Sequence, residues 1–149
     1  MKKLEKIAGI MFAVAIILKI ASLPGAGILI STSLGALACF YLFFGFAIFN
    51  NIEDADILNK EAYKGILKQR IAASIIAGWG FSAICIGALF ELMRWPGGVI
   101  ILPVGLVVVS IITFIAFIYR TKSDFFKTFL YRFALGFLVF SACFIFRLI

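Results

Sequence analysis

The sequence predicts an all-α, polytopic membrane bundle of five transmembrane helices, built as two tandem hairpins plus one further helix. Three observations predict it. Of 149 residues, 64% are hydrophobic and 14% charged, with a mean hydropathy of +1.18, whereas a soluble domain carries about 25% charged residues. The apolar runs that begin at Ile7, Ala26, Ile71, Val99 and Phe129 are continuous rather than alternating, which fits helices and not a membrane barrel. Each run is about 20 residues long, enough to cross a hydrocarbon core about 30 Å thick.

The first span is expected over 7–23, after the basic start Lys2-Lys3-Leu4-Glu5-Lys6. That start mimics a signal peptide, but Lys19 interrupts the apolar region and no small-x-small cleavage site precedes Ala26, so a retained span is expected. Pro24 and Gly25 make the first turn, because proline stops one helix and glycine lets the chain reverse. The second span runs to Phe49, closing a first hairpin over 7–49. A polar linker, 50–70, follows. In it Asp56, Lys60, Lys64 and Lys68 share one helical face and Ala55, Leu58, Ala62 and Ile66 another, so a short amphipathic helix at the membrane surface or in solvent is expected.

The second hairpin is placed at 71–119, turning at Pro96 and Gly97. The loop Arg120-Thr121-Lys122-Ser123-Asp124 leads into a fifth helix at 124–149, with Ser123 as N-cap and Asp124 against the helix dipole. All of 1–149 reads as one membrane domain. Its main rival has four spans, with the last helix lying flat.

The basic residues set the orientation. Lys2, Lys3 and Lys6, then Lys60, Lys64, Lys68 and Arg70, then Arg120, Lys122 and Lys127 flank the spans on one side, and Arg94 stands alone in the turns on the other. The positive-inside rule puts the N-terminus in the cytoplasm and, with five spans, the C-terminus outside it. The net charge of +7 is spread over short loops rather than gathered into a patch, so no nucleic-acid partner is expected.

Chemistry is thin. There is no histidine, which excludes histidine-based triads, HExxH zinc sites and histidine haem ligation. Cys39, Cys85 and Cys143 lie in apolar spans and are odd in number, which supports neither a disulfide framework nor a CxxC site. Asp54, Asp56 and Glu61 could supply metal ligands to a membrane enzyme acting on lipid, but an Asp-x-Asp grouping such as Asp54-Ala55-Asp56 is common beside helix starts. No catalytic residues, metal or cofactor are expected, and the chain is read as not an enzyme.

An internal repeat supplies the one chemical lead. Ile17 to Ala26 overlays Leu89 to Gly98 at an offset of 72, with a single charge five residues before Pro-Gly in each copy: Lys19 and Glu91. The two hairpins run in the same sense, so a pseudo-two-fold axis along the membrane normal is expected. Intramembrane charges are costly unless paired or hydrated. Three readings stay open: Lys19 snorkels while Glu91 pairs locally with Arg94; Lys19 and Glu91 pair across the hairpins; or they serve an ion or proton relay.

Small residues recur four apart at Gly27, Ser31, Gly35 and Cys39 and at Ser74, Gly78 and Ser82, rows that permit close helix approach within the bundle or in a dimer. In the last helix Phe129, Phe133, Phe137, Phe140 and Phe144 form an aromatic stripe for lipid or partner packing. Arg132 is expected to contact headgroups.

The stretch Leu89-Phe90-Glu91-Leu92-Met93-Arg94-Trp95-Pro96-Gly97-Gly98, with its copy Lys19-Ile20-Ala21-Ser22-Leu23-Pro24-Gly25-Ala26, resembles the Phe-Lys-x-x-His-x-Pro-Gly-Ala hairpin of GldL-type membrane proteins, a family associated with gliding motility and type IX secretion in Bacteroidota. The resemblance implies a related hairpin fold and a similar bacterial source, which would put the chain in the inner membrane with its C-terminus in the periplasm. In that family the hairpin takes part in a proton-driven motor and carries an acidic residue in its second helix. Here neither 26–49 nor 99–119 contains an acid, Glu91 reverses the sign of the family's lysine, and Arg94 replaces its histidine. With no catalytic constellation in the sequence and with small-residue helix faces suited to packing, the expected role is a non-enzymatic structural or assembly subunit in contact with lipid and with other membrane proteins or itself. The alternative is a small transporter or channel using the Lys19 and Glu91 charges.

Overall fold

A computed structural model describes residues 2–118, 130–134, 136–138 and 141, and every regular element among them is helical. The helices are α1 (Lys2–Ile20), α2 (Ala26–Phe49), α3 (Lys68–Leu92) and α4 (Gly98–Ile118), followed by α5, the helical residues 130–134, 136–138 and 141. Three helices are long and apolar enough to cross a membrane, at Ala26–Phe49, Lys68–Leu92 and Gly98–Ile115. The first helix begins at Lys2 rather than Ile7, and at 19 residues it is too short to hold a long charge-poor stretch between Lys3, Glu5 and Lys6 at one end and Lys19 at the other. The expected cap at Ser123 and Asp124, the basic loop before it, Cys143 and the aromatic positions 129, 140 and 144 lie outside the described residues.

The two turns are built alike. After α1, Ser22 takes a left-handed φ of 54°, and after α3, Arg94 takes 57°. The Leu23 amide bonds the Leu18 carbonyl at 2.9 Å and the Ser22 amide bonds Lys19 at 3.1 Å; the matching pairs are Trp95 to Phe90 at 2.7 Å and Arg94 to Glu91 at 3.1 Å. This pair of bonds satisfies the orphan carbonyls of a helix end. Gly25 and Gly97 then supply φ values of 89° and 98° that a side chain would resist.

The linker does not form the amphipathic helix its periodicity predicts. It holds two short 3-10 turns, Asp54–Asp56 and Lys60–Tyr63. The Asn59 side chain accepts from the Glu61 amide at 3.1 Å, Asn51 and Gly65 have positive φ, and Lys64 is extended. Polar side chains and glycine that bond or bend the backbone locally win over a weak helical period.

Helices α2, α3 and α4 pack in sequence order, with α1 on α2. The core consists of Ile30, Leu34, Tyr41, Ile48 and Phe49 from α2, Ala77, Phe81, Ile84 and Ala88 from α3, and Leu102, Val109 and Ile112 from α4. Backbones meet where side chains vanish. A Cβ on Gly78 would stand 2.6 Å from the Tyr41 carbonyl oxygen, one on Gly45 2.6 Å from Gly78 Cα, and one on Gly87 2.5 Å from Leu102 backbone. Outward, α4 presents Ile100, Val104, Val107, Ile111, Phe114 and Ile118 as an exposed apolar stripe.

Candidate functional site

Two sets of charged side chains sit among these helices. The first joins three of them. Folding α1 back on α2 at Pro24 brings Glu5 level with Tyr41, each about 25 to 28 Å of helix from the turn. The Tyr41 hydroxyl donates to Glu5 Oε1 at 2.5 Å. From α5, Arg132 donates from Nε to Oε1 at 2.6 Å and from Nη2 to Oε2 at 2.5 Å. The fork is bidentate, the strongest form of such a pair. The side chains of Arg132 and Glu5 are only 9% and 16% exposed, so the pair is desolvated and each charge depends on the other.

An aromatic floor supports it. The Arg132 guanidinium lies 5.5 Å from the Phe49 ring centroid, close enough for cation–π attraction. The Tyr41 ring stacks on Phe49 at 6.4 Å and leans on Phe81 at 5.3 Å, which fixes where its hydroxyl points. Chemically this is a neutral, hydrogen-bonded clamp that ties α1 and α5 to α2. It corrects the expectation that Arg132 reaches headgroups: a guanidinium near a buried carboxylate gains more from two charge-assisted bonds than from snorkelling. Sequence reasoning missed the clamp because Glu5 is masked by the lysines around it. The available signal was a tyrosine in mid-span, since a buried hydroxyl needs a partner.

The second set is the pair of turn charges. Lys19 Nζ donates to the Leu92 carbonyl at the end of α3, which brings the first turn against the second, one residue from Glu91. Glu91 folds over the start of α4: a Cβ on Gly98 would lie 2.8 Å from its amide nitrogen and 3.0 Å from Oε1. The two equivalent positions thus carry opposite charges to helix ends of opposite partial charge, the ammonium to the carbonyl end of α3 and the carboxylate to the amide end of α4. Arg94 is exposed and serves as the left-handed residue of its turn. Among the described residues, no ion pair joins Lys19, Glu91 and Arg94.

The small-residue rows divide. On α3, Ser74 and Ser82 are 0% and 3% exposed, and Gly78 lies at the α2 crossing. On α2, Gly27, Ser31 and Gly35 are half-buried and Cys39 is exposed; Gly27 meets only the Met93 side chain and Gly35 meets nothing within 4 Å. The face of α2 that is buried holds Ala26, Ile30, Leu34, Ala38, Tyr41 and Gly45, one position round the helix. Among the described residues, no group of three His, Cys, Asp or Glu stands close enough to hold a metal ion.

The family model of the GldL N-terminal domain matches residues 76–131. There the chain resembles the GldL-type membrane proteins. The matched stretch takes in most of α3, the turn with Glu91, Arg94, Pro96 and Gly97, and all of α4; Lys19, Glu5 and Arg132 lie outside it. No curated protein and no solved structure matches the chain.

Proposed function

We propose that this chain is a non-enzymatic, multi-pass subunit of a bacterial inner membrane that packs against other membrane proteins in an assembly of the GldL type, serving gliding motility or protein secretion. The resemblance of 76–131 to the GldL N-terminal domain carries this reading. The geometry supports a structural role. Glu5 is bonded to Arg132 and Tyr41, Lys19 to a backbone carbonyl, and the apolar stripe of α4 faces outward, where a partner helix would bind by shape rather than by charge.

In this reading the chain has five spans, four of them paired as two repeated hairpins, with a cytoplasmic N-terminus. The like geometry of the turns at Ser22 and Arg94 favours the repeat, and the basic loops favour the orientation. Photocrosslinkers at Val107 and Phe114, introduced in the native host, are expected to label membrane proteins of a secretion or motility complex. Labelling of lipid alone from both positions would overturn the assembly reading, as would ion flux through purified protein in vesicles that is lost in Glu91→Gln. Protease access to a C-terminal tag from the periplasmic side checks the fifth span.

A further inference from the structure

Between α1 and α2 lies a groove of about 260 Å³, half open to the side, walled by Leu4, Ile7, Ala8 and Met11 from α1 and by Ala36, Leu37 and Phe40 from α2. Its polar wall groups are already bonded. Thr32 donates to the Ile28 carbonyl at 2.8 Å, Ser33 to that of Leu29 at 2.6 Å, and Glu5 accepts from Tyr41 and Arg132. Nothing in the walls calls for water, which needs two to four polar partners to settle.

Size decides between apolar occupants. From Leu4 to Met11 the groove runs about 10 Å along the helix. A helix is about 10 to 12 Å across, so it could lie over the open side of the groove and reach in with single side chains, but its backbone could not enter. A single hydrocarbon chain is slender enough, and 10 Å is most of one leaflet, about 15 Å thick. The groove also has a polarity. Its Leu4 and Phe40 end is the end where α1 starts, and Lys3, which is exposed, lies one turn before Ile7 on the same helix face.

We propose that this groove binds one acyl chain of an anionic phospholipid, whose headgroup is held by Lys3. The lipid fills a surface that α1, packed on α2, leaves uncovered, and so completes the seat of the helix that carries Glu5.

Native mass spectrometry of the full chain, released from nanodiscs of mixed phosphatidylglycerol and phosphatidylethanolamine, tests this. The wild type is expected to keep one phospholipid and to prefer phosphatidylglycerol. Lys3→Gln should keep the lipid but lower that preference about fivefold, the weight of one lysine beside an anionic surface. Ala36→Phe, which places a ring in the groove, should shed the lipid, with Ala36→Leu as the gentler variant should the ring impair folding. A lipid-free wild type, a dimer in place of the lipid adduct, an unchanged preference in Lys3→Gln, or retention in both Ala36 variants would overturn the proposal.

Discussion

Arg132 and Glu5 stand 127 residues apart in the chain and meet through two parallel hydrogen bonds of 2.6 and 2.5 Å. The bonds join the first helix to the last described one across the face of α2, with Tyr41 holding the same carboxylate. The fold thereby places a full positive and a full negative charge in its interior while keeping the site neutral. Removing either partner strands the other, which costs far more than the pair contributes over an apolar replacement.

Glu5→Gln and Arg132→Met are each expected to destabilise the protein by about 3 to 5 kcal/mol. The double variant should recover most of that loss, because neither charge is then left unpaired. Thermal unfolding of the four proteins in one detergent, analysed as a double-mutant cycle, measures the coupling. Tyr41→Phe, which removes one neutral donor, should cost about 1 kcal/mol.

The α2 and α3 crossing should tolerate no added methyl at its centre. Gly78→Ala would press a carbon to 2.6 Å from the Tyr41 carbonyl and should cost about 1 to 3 kcal/mol by forcing the helices apart. Gly35→Ala, on the same predicted small-residue theme but with open space around it, should change stability by less than about 0.5 kcal/mol. Equal losses in the two variants would show that the crossing is looser than the backbone distances imply.

The turn charges should act by sign. Lys19→Met removes one bond to the Leu92 carbonyl and should cost about 1 kcal/mol. Lys19→Glu places a carboxylate against that carbonyl end and should cost more, since both the bond and the favourable helix-end charge are lost. Hydrogen exchange at the amides of Trp95 and Arg94 reports the loosening, and no difference between Met and Glu at position 19 would remove the electrostatic account.

Ser22 and Arg94 hold left-handed backbone at a cost of about 1 kcal/mol each. Ser22→Gly and Arg94→Gly should therefore raise the unfolding temperature, while Gly25→Ala and Gly97→Ala, at φ of 89° and 98°, should lower it by a similar energy. Opposite signs at neighbouring positions of one turn make this readable even where absolute stabilities are hard to fix.

Much of this protein follows from local rules that a sequence exposes. A run of apolar residues must bond its own backbone in lipid, so α2, α3 and α4 fall where the hydropathy places them, and Pro-Gly after a charge gives two turns of one geometry. The exceptions are also local: the 50–70 linker has helical spacing, but Asn51, Asn59 and Gly65 bond or bend its backbone away from the helix. Tertiary structure alone decides the rest. Which face of α2 is buried depends on where Gly45 meets Gly78, not on the row of Gly27, Ser31 and Gly35, because several faces of an apolar helix look alike in sequence. That Arg132 turns inward depends on Glu5, a partner whose depth is set only when α1 folds back on α2. A hydrogen bond between residues 127 positions apart leaves no spacing to read, and the free energy that makes it necessary exists only once water has been excluded around it.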